Sequence, residues 1–512
     1  MAQELRSINL VAPGFKGINT EDSPLAQDPS FAEIADNAVV DRRGRIASRK
    51  GYQAVTTDAT ELGTATIRAI KEFEESDGST SVFSVGNNKI LKGTTTLTDV
   101  TPVGYTITDD NWKIVSFNNN VYFFQEGYEP LVYNNAAEGV IPMSTVATGA
   151  SPLVDIPQGN EVIGAYGRLW TAKKNSSVVY WSDLLIGQNW TEGTSGSIDI
   201  SKVWPDGYDE IVALATHNNL LIIFGRTSIV VYQGADSPAT MTLADTVSGV
   251  GCVDRDTVQY TGTDVIFLSS NGLRSFGRTI REKSMPIATL SSNITKDLIS
   301  VLGREAESFR SVYSPEENFY LLTFVEQQIT YCFDLRGTLE NGALRVTRWP
   351  QSVFTAYERL NDGTLYIGKT NGIFVYRDNT DDGASFRFKY YSPSLDFGDI
   401  SRLKILKKIR PIIVGGNSAS AVMKFAYDFN TAYRSIGFNI ESQDGAFFGT
   451  NEFGANSVPL SEFTTGATKP NQRSFNASGN GSSVVVGIEC DIEGFPVSIQ
   501  AINLLALLGK TV

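Results

Sequence analysis

Cations set among apolar residues are the first groups in this chain whose types and spacing could do chemistry. Arg402, Lys404, Lys407, Lys408 and Arg410 alternate loosely with Leu403, Ile405, Leu406 and Ile409. Such a pattern is that of a β-strand, and on an unbulged strand Arg402, Lys404, Lys408 and Arg410 share one face. A row of this kind suits phosphate or the acidic surface of a neighbouring subunit, and equally the charged protection of a sheet edge. A second cluster, Asp41-Arg42-Arg43-Gly44-Arg45 followed by Arg49-Lys50-Gly51, reads as a tight turn. Arg42, Arg43 and Arg45 there face either an interface or plain solvent.

Catalytic chemistry has little to stand on. His217 is the only histidine, so a His-dependent triad or a multi-His metal site would have to be built around one residue. It falls in the turn-like stretch Thr216-His217-Asn218-Asn219, where a polar turn residue is expected. Cys252, Cys332 and Cys490 are far apart and form no CxxC pair, so they read as buried small hydrophobes and not as zinc ligands. The acidic stretch Asp378 to Gly383 alternates like the opening of a calcium loop, but the twelfth position holds Lys389 where a bidentate acid is needed. An interdomain linker is the better reading of it. Ser182-Asp183 with Trp190 is similar to the Asp-box turn of some propellers, at the wrong internal spacing. No carboxylate pair is singled out for glycoside hydrolysis, and no phosphate loop or dinucleotide fingerprint is present. The chain is expected to be neither an enzyme nor a holder of a cofactor or metal.

The elements that must carry these residues form a repeat. Apolar strand, polar turn, apolar strand, polar turn, apolar strand recurs along the chain, most cleanly as IVALA-THNN-LLIIF-GRTS-IVVYQG from Ile211. Asn-Asn, Asn-Gly and Asp-Gly steps supply the positive φ that tight hairpins require. Central strands start near Ser81, Val121, Leu169, Leu220, Val265, Phe319 and Leu365, at a mean spacing of roughly 47 residues, which is the range of propeller blades. The predicted fold is all-β: a β-propeller of about seven blades over residues 57–380. It is joined to a β-rich platform made from residues 1–56 and 381–512. One short amphipathic helix is predicted between Pro286 and Gly303, where Leu290, Ile294, Leu298, Ile299 and Leu302 recur at helical spacing. Ser291 or Ser292 is placed to cap its start, and Gly303 to end it.

Composition narrows the partners. With 41% hydrophobic and 19% charged residues the chain is globular, and its net charge of −13 argues against a surface that grips phosphates throughout. The surplus of acid lies before residue 383, in the repeats; beyond it acids and bases nearly balance. The opening residues lack an apolar signal core, and the longest apolar runs are far shorter than a membrane span, so neither signal-directed secretion nor membrane insertion is expected.

APGFKGINTEDSPL, followed by AEIADNAVVDRRGRIASRKGY, resembles the N-terminal signature of tail nozzle proteins of short-tailed bacteriophages. These are also called tail tubular protein B or packaged-DNA stabilisation proteins. Gly17, Asn19, Asp22, Ser23, Pro24, Asn37, Gly44, Arg49 and Gly51 carry the likeness. The stretches GVGCVDRDTVQYTGTDVIFLSSNGLRSF and YWSDLLIGQNW resemble later blades of the same family, and the likeness thins beyond Gly415. What the resemblance implies is a virion protein of the tail, made in the host cytoplasm. It would form a homo-hexameric ring below the adaptor (head-to-tail connector) protein. Such a ring contacts tail fibre, tailspike or needle proteins and passes double-stranded DNA during ejection. Arg402, Lys404, Lys408, Arg410, Arg42, Arg43 and Arg45 would then serve inter-subunit or phosphate contacts. Two other classes fit the same pattern: a glycan-binding or glycoside-cleaving propeller using Trp170, Trp181 and Trp190, and a tail or baseplate propeller of another phage type.

Overall fold

The computed structural model describes residues 4–12, 14–75, 77–107, 111–134, 139–146, 155–282, 289–304, 308–416, 419–440 and 470–511. The repeat folds as blades. Second strands start at Thr80, Asn120, Arg168, Leu220, Val265, Phe319 and Leu365, within one residue of the positions read from the sequence. Inner strands follow one another around a ring. Ala69–Glu74 lies beside Lys113–Phe117, then come Glu161–Ala165, Ile211–His217 and the 3₁₀ turn Arg255–Thr257. Phe309–Ser314 and Ala356–Arg359 return the ring to its start.

Six blades stand as sheets of their own, where about seven were expected. Five have four strands, and the blade from Gln259 to Ser275 has three. The strands from Phe309 to Pro350 fill the remaining gap, but their sheet does not stop at its fourth strand. It continues through Ile34–Asp36 to Phe386–Tyr391, Val484–Ile492, Ser420–Tyr427 and Arg434–Asn439, nine strands in all. The physical reason is an edge: Leu344–Pro350 pairs in parallel with Ile34–Asp36 at Asp36 and Arg348, so this outer edge is covered by the chain's own N-terminal segment. The last blade is closed in the same way by Tyr52–Ala54, which pairs antiparallel with Gly372–Tyr376. That strand was assigned from sequence to the N-terminal platform segment and belongs to the propeller.

The outer half of the nine-stranded sheet packs on a second sheet. There Val497–Thr511 is central, with Arg402–Gly415 along one side and Glu4–Leu10 and Ile46–Ser48 along the other. Glu4 pairs with Leu508 and Leu10 with Ile502, so the two ends of the chain are woven together. Between the sheets lie Leu406, Ile409, Ile499, Ile502 and Leu504 from one side, and Met423, Phe425, Val486, Ile488 and Cys490 from the other. This core is continuous with Phe309, Tyr320, Leu322 and Phe333 of the shared blade. Burial of this many aliphatic and aromatic side chains, each contributing about 1.5–3 kcal/mol, is what couples sandwich and propeller.

Two helices are present among the described residues, where one was expected. Helix α2, Thr295–Leu302, is the predicted one; it buries Leu298 and Val301 and ends at Gly303, but its N-cap is Ile294 with no side-chain cap, so Ser291 and Ser292 do not serve. Helix α1, Phe276–Glu282, was missed, because its first turn is specified by Asp264, a distant residue that accepts from the backbone N–H of Gly277 at 2.8 Å. No helix is long and apolar enough to cross a membrane among the described residues.

Candidate functional site: an ionic stopper on the propeller axis

Three of the seven inner segments of this propeller begin with a charged residue. Lys113 opens one inner strand, Glu161 the next, and Arg310 lies near the start of the sixth. Between the fourth and sixth, the chain makes a 3₁₀ turn instead of a full strand, and Asp254, Arg255 and Asp256 enter the axis together. Asp254 caps the turn by accepting from the N–H of Asp256 at 2.7 Å. The Arg255 guanidinium, only 3% exposed, crosses to the facing blades. It donates to Asn160 Oδ1 at 3.0 Å and to Asn111 Oδ1 at 2.8 Å. Asp256 receives Lys113 at 3.3 Å and Arg310 at 3.1 Å. Acids and bases from several blades are therefore tied across the axis.

Their protonation is set by burial against neighbours. Burial pushes Glu161 up to about 7, against the pull of Lys113 and Arg255. Burial, reinforced by Asp256, likewise raises Asp254 above the ordinary carboxylate range. Asp256 is only partly exposed and loses solvation too, but Arg255, Lys113 and Arg310 outweigh the desolvation and hold it well below the ordinary carboxylate range. Burial also opposes the Lys113 ammonium, and Glu161 and Asp256 overcome it to keep the lysine charged. A cavity of about 510 Å³ opens on one side of this network, with Lys113, Glu161 and Arg255 at its base and His217, Asn218 and Tyr260 further out. A smaller one, about 230 Å³, adjoins Asp254 and Arg255 with Asn111, Asn160 and Arg226. Sequence reasoning missed the network. The available signal was Asp254-Arg255-Asp256 at the place where an inner strand should begin, an unusual density of charge for that position.

The residues singled out from sequence are not gathered at one site. Arg402, Lys404, Lys408 and Arg410 do lie on a single strand, but they do not form one row. Its register shifts between Arg402 and Lys404 and again between Leu406 and Lys408. The extra residue lies on the partner strand in the first shift and on this strand in the second, so the two faces of this strand exchange once, between Leu406 and Lys408. Lys404 is consequently fully buried, its Nζ donating to the carbonyl of Asp399, and burial lowers its pKa against the pull of Asp396 and Asp399. Arg402, Lys408 and Arg410 remain partly exposed, and only the last two lie at matching parity on the same side of a bulge. In the second cluster Arg42 and Arg43 are exposed, whereas Arg45 turns back onto Asp41, at 2.7 Å, and reaches Gln500 at 3.2 Å.

Arg49, expected as a surface cation, is buried at the joint between sandwich and propeller. It makes two 2.7 Å bonds to the Asp381 carboxylate, donates to Asn37 Oδ1 at 2.9 Å, and lies 4.0 Å from the centroid of Phe386. Asp381 belongs to the stretch considered as a calcium loop; it is an ion-pair partner, and no group of acids able to hold a metal is found among the described residues. Gly51 follows, and a Cβ there would collide with the carbonyl oxygen of Thr380 in the same linker.

Other expectations meet the structure individually. Cys252, Cys332 and Cys490 are buried, and burial pushes the Cys252 and Cys490 thiols up to about 12. Trp170, Trp181 and Trp190 are buried, at 0%, 6% and 7% exposure, and so cannot face a glycan at a propeller mouth. Asp183 accepts from the Thr194 backbone N–H at 2.8 Å and from its hydroxyl at 2.7 Å, a structural turn. His217 closes an inner strand immediately before the turn it was assigned to.

No protein-family model and no curated protein sequence matches the chain. Solved structures do resemble it. The extracellular domain of the putative one component system BT4673 from B. thetaiotaomicron is 11% identical with a TM-score of 0.42, over 78% of this chain and 49% of that one. PorZ, a surface component of the type-IX secretion system of Porphyromonas gingivalis, is 13% identical with a TM-score of 0.34, over 77% of this chain and 47% of that one. The WD40 propeller domain of Doa1 is 12% identical with a TM-score of 0.35, over 64% of this chain and 96% of that one. The chain spans about half the length of the first two. These likenesses carry no argument about function.

Proposed function

We propose that this chain is a structural virion protein, the subunit of a ring-shaped tail nozzle that serves as conduit and retention point for genomic DNA below the portal and its adaptor. The observation that carries the reading is the joint between sandwich and propeller. Three of the residues on which the family resemblance rests, Asn37, Arg49 and Gly51, are used by this joint. Arg49 clamps Asp381, Asn37 adopts φ +52 and donates to the Arg387 carbonyl at 2.8 Å, and Gly51 admits the linker. Gly17, at φ +91, lets Val346 approach where a Cβ would lie 2.6 Å from its backbone nitrogen. Woven chain ends forming a platform from which a propeller projects are the architecture that the resemblance led us to expect, and they support the reading.

The stoppered axis is consistent with this role. With Arg255 bonded across it, a single propeller is no passage for a duplex, so a conduit has to lie between copies. The acidic propellers would face that bore, since a channel that must release DNA gains nothing from holding phosphates. Arg42, Arg43, Lys408 and Arg410, on the sandwich and partly or fully exposed, are the candidate contacts to the next subunit or to the adaptor; Lys404 is withdrawn from that set by its burial. No catalysis is assigned in this role. Light scattering and negative-stain imaging of the purified chain, alone and with its adaptor, test it. A holed ring near six times 55.7 kDa is expected. Single copies that do not assemble on the adaptor would overturn it, and a ring of another copy number at a baseplate would move the chain to another tail type.

A further inference from the structure

The cavity on the axis has features that the conduit role does not use. Three consecutive blades join inner to second strand by two-residue turns: Asn118-Asn119, Tyr166-Gly167 and Asn218-Asn219. All six residues adopt positive φ, between 45° and 70°. Asparagine tolerates that region and is the expected choice; a tyrosine at φ +53 is strained. The strain places Tyr166 among the residues that line the cavity, and Tyr260, 57% exposed, lines it from another blade with its ring 6.0 Å from that of His217. Strain kept at a cavity lining points to a ligand.

We propose that this cavity binds a neutral carbohydrate, one or two sugar units long. Its volume, about 510 Å³, lies within the range of small-ligand sites. Tyr166 and Tyr260 supply ring faces for the apolar side of a pyranose, and Asn218 and Asn219 supply amides for hydroxyl groups. At the base Glu161 is 3% exposed; its Oε2 faces the Lys113 ammonium at 3.7 Å and has no hydrogen-bond partner, so it can still accept from a sugar hydroxyl. Anions are the main competitor, because Lys113 and Arg255 line the base; both are already engaged, Lys113 with Glu161 and Asp256 and Arg255 with Asp256. The inference is independent of the nozzle reading, since a ring subunit needs no such site.

Saturation-transfer NMR on the full chain, with glucose, galactose, mannose, N-acetylglucosamine, lactose and maltose as probes, tests the inference. At least one sugar is expected to bind at roughly millimolar affinity or tighter. Tyr260→Ala, on an exposed side chain, is expected to weaken it about 10-fold, as is Glu161→Gln, which keeps the shape and removes the charge. Both variants should melt as folded proteins. Failure of every sugar to receive saturation, or binding indifferent to both substitutions, overturns the proposal. Equal competition by acetate would do the same, because it would assign the site to anions.

Discussion

Replacing Arg49 by alanine tests the joint that the functional reading leans on. The guanidinium holds both oxygens of Asp381 at 2.7 Å, and the two side chains are only 6% and 16% exposed. Removing one partner of a buried pair costs about 3–5 kcal/mol; the residual exposure of Asp381 sets the expectation at the lower end, about 3 kcal/mol. Loss of the Phe386 contact adds to this. In global melting the effect is modest. At about 2.1 cal/mol/K per residue, 512 residues give an unfolding entropy of about 1.1 kcal/mol/K, hence a midpoint lower by about 3 °C. Local opening is far more sensitive. If the linker 378–383 must leave Arg49 and Gly51 before a protease can cut it, about 3 kcal/mol raises its cleavage rate by about two orders of magnitude. Arg49→Lys should recover little of this, because an ammonium cannot span both carboxylate oxygens. Arg49→Ala cut no faster than the parent in that linker would refute the clamp.

Three further outcomes are expected. The folded-state pKa of Glu161, about 7, lies above its ordinary 4.5, so the stability it contributes is fully present below pH 4.5 and declines as pH rises through 7. Asp254, also raised above its ordinary 3.8, acts in the same direction, whereas depressed Asp256 acts oppositely, its contribution fading only as pH falls below 3.8. Melting midpoints should therefore fall from about pH 5 to pH 8, and Glu161→Gln should flatten that slope; an unchanged slope would contradict the assignment. Gly51→Ala should destabilise by about 1–3 kcal/mol by overpacking against Thr380, read in denaturant titrations against a Gly14→Ala control, where an added Cβ meets open space. Arg42→Glu with Arg43→Glu should leave the melting midpoint within about 1 °C, as exposed substitutions do, while weakening subunit association in a salt-dependent way.

What the sequence disclosed and what it hid follow from the range of the interactions involved. Blade strands were legible within a residue because apolar runs and turn residues such as Asn118-Asn119 are local signals. The count of free-standing blades was not, since the pairing of Asp36 with Arg348 joins segments more than 300 residues apart. The single face proposed for Arg402, Lys404, Lys408 and Arg410 failed on the bulge between Leu406 and Lys408, which no alternation of residue types announces. Arg49 looked like its exposed neighbours Arg42 and Arg43; its burial depends on Asp381 and Phe386, supplied from the far end of the propeller. The axial network was visible only as an odd density of charge at Asp254-Arg255-Asp256. Its partners Lys113, Glu161 and Arg310 come from blades that only the ring brings together.

The most direct measurement of the central claim is electron cryo-microscopy of tailed particles that contain this chain. A closed ring of six copies on the tail axis, with sandwiches toward the head and the propellers projecting away from it, is the result the account predicts. The chain found off the axis, or missing from the tail, would contradict it.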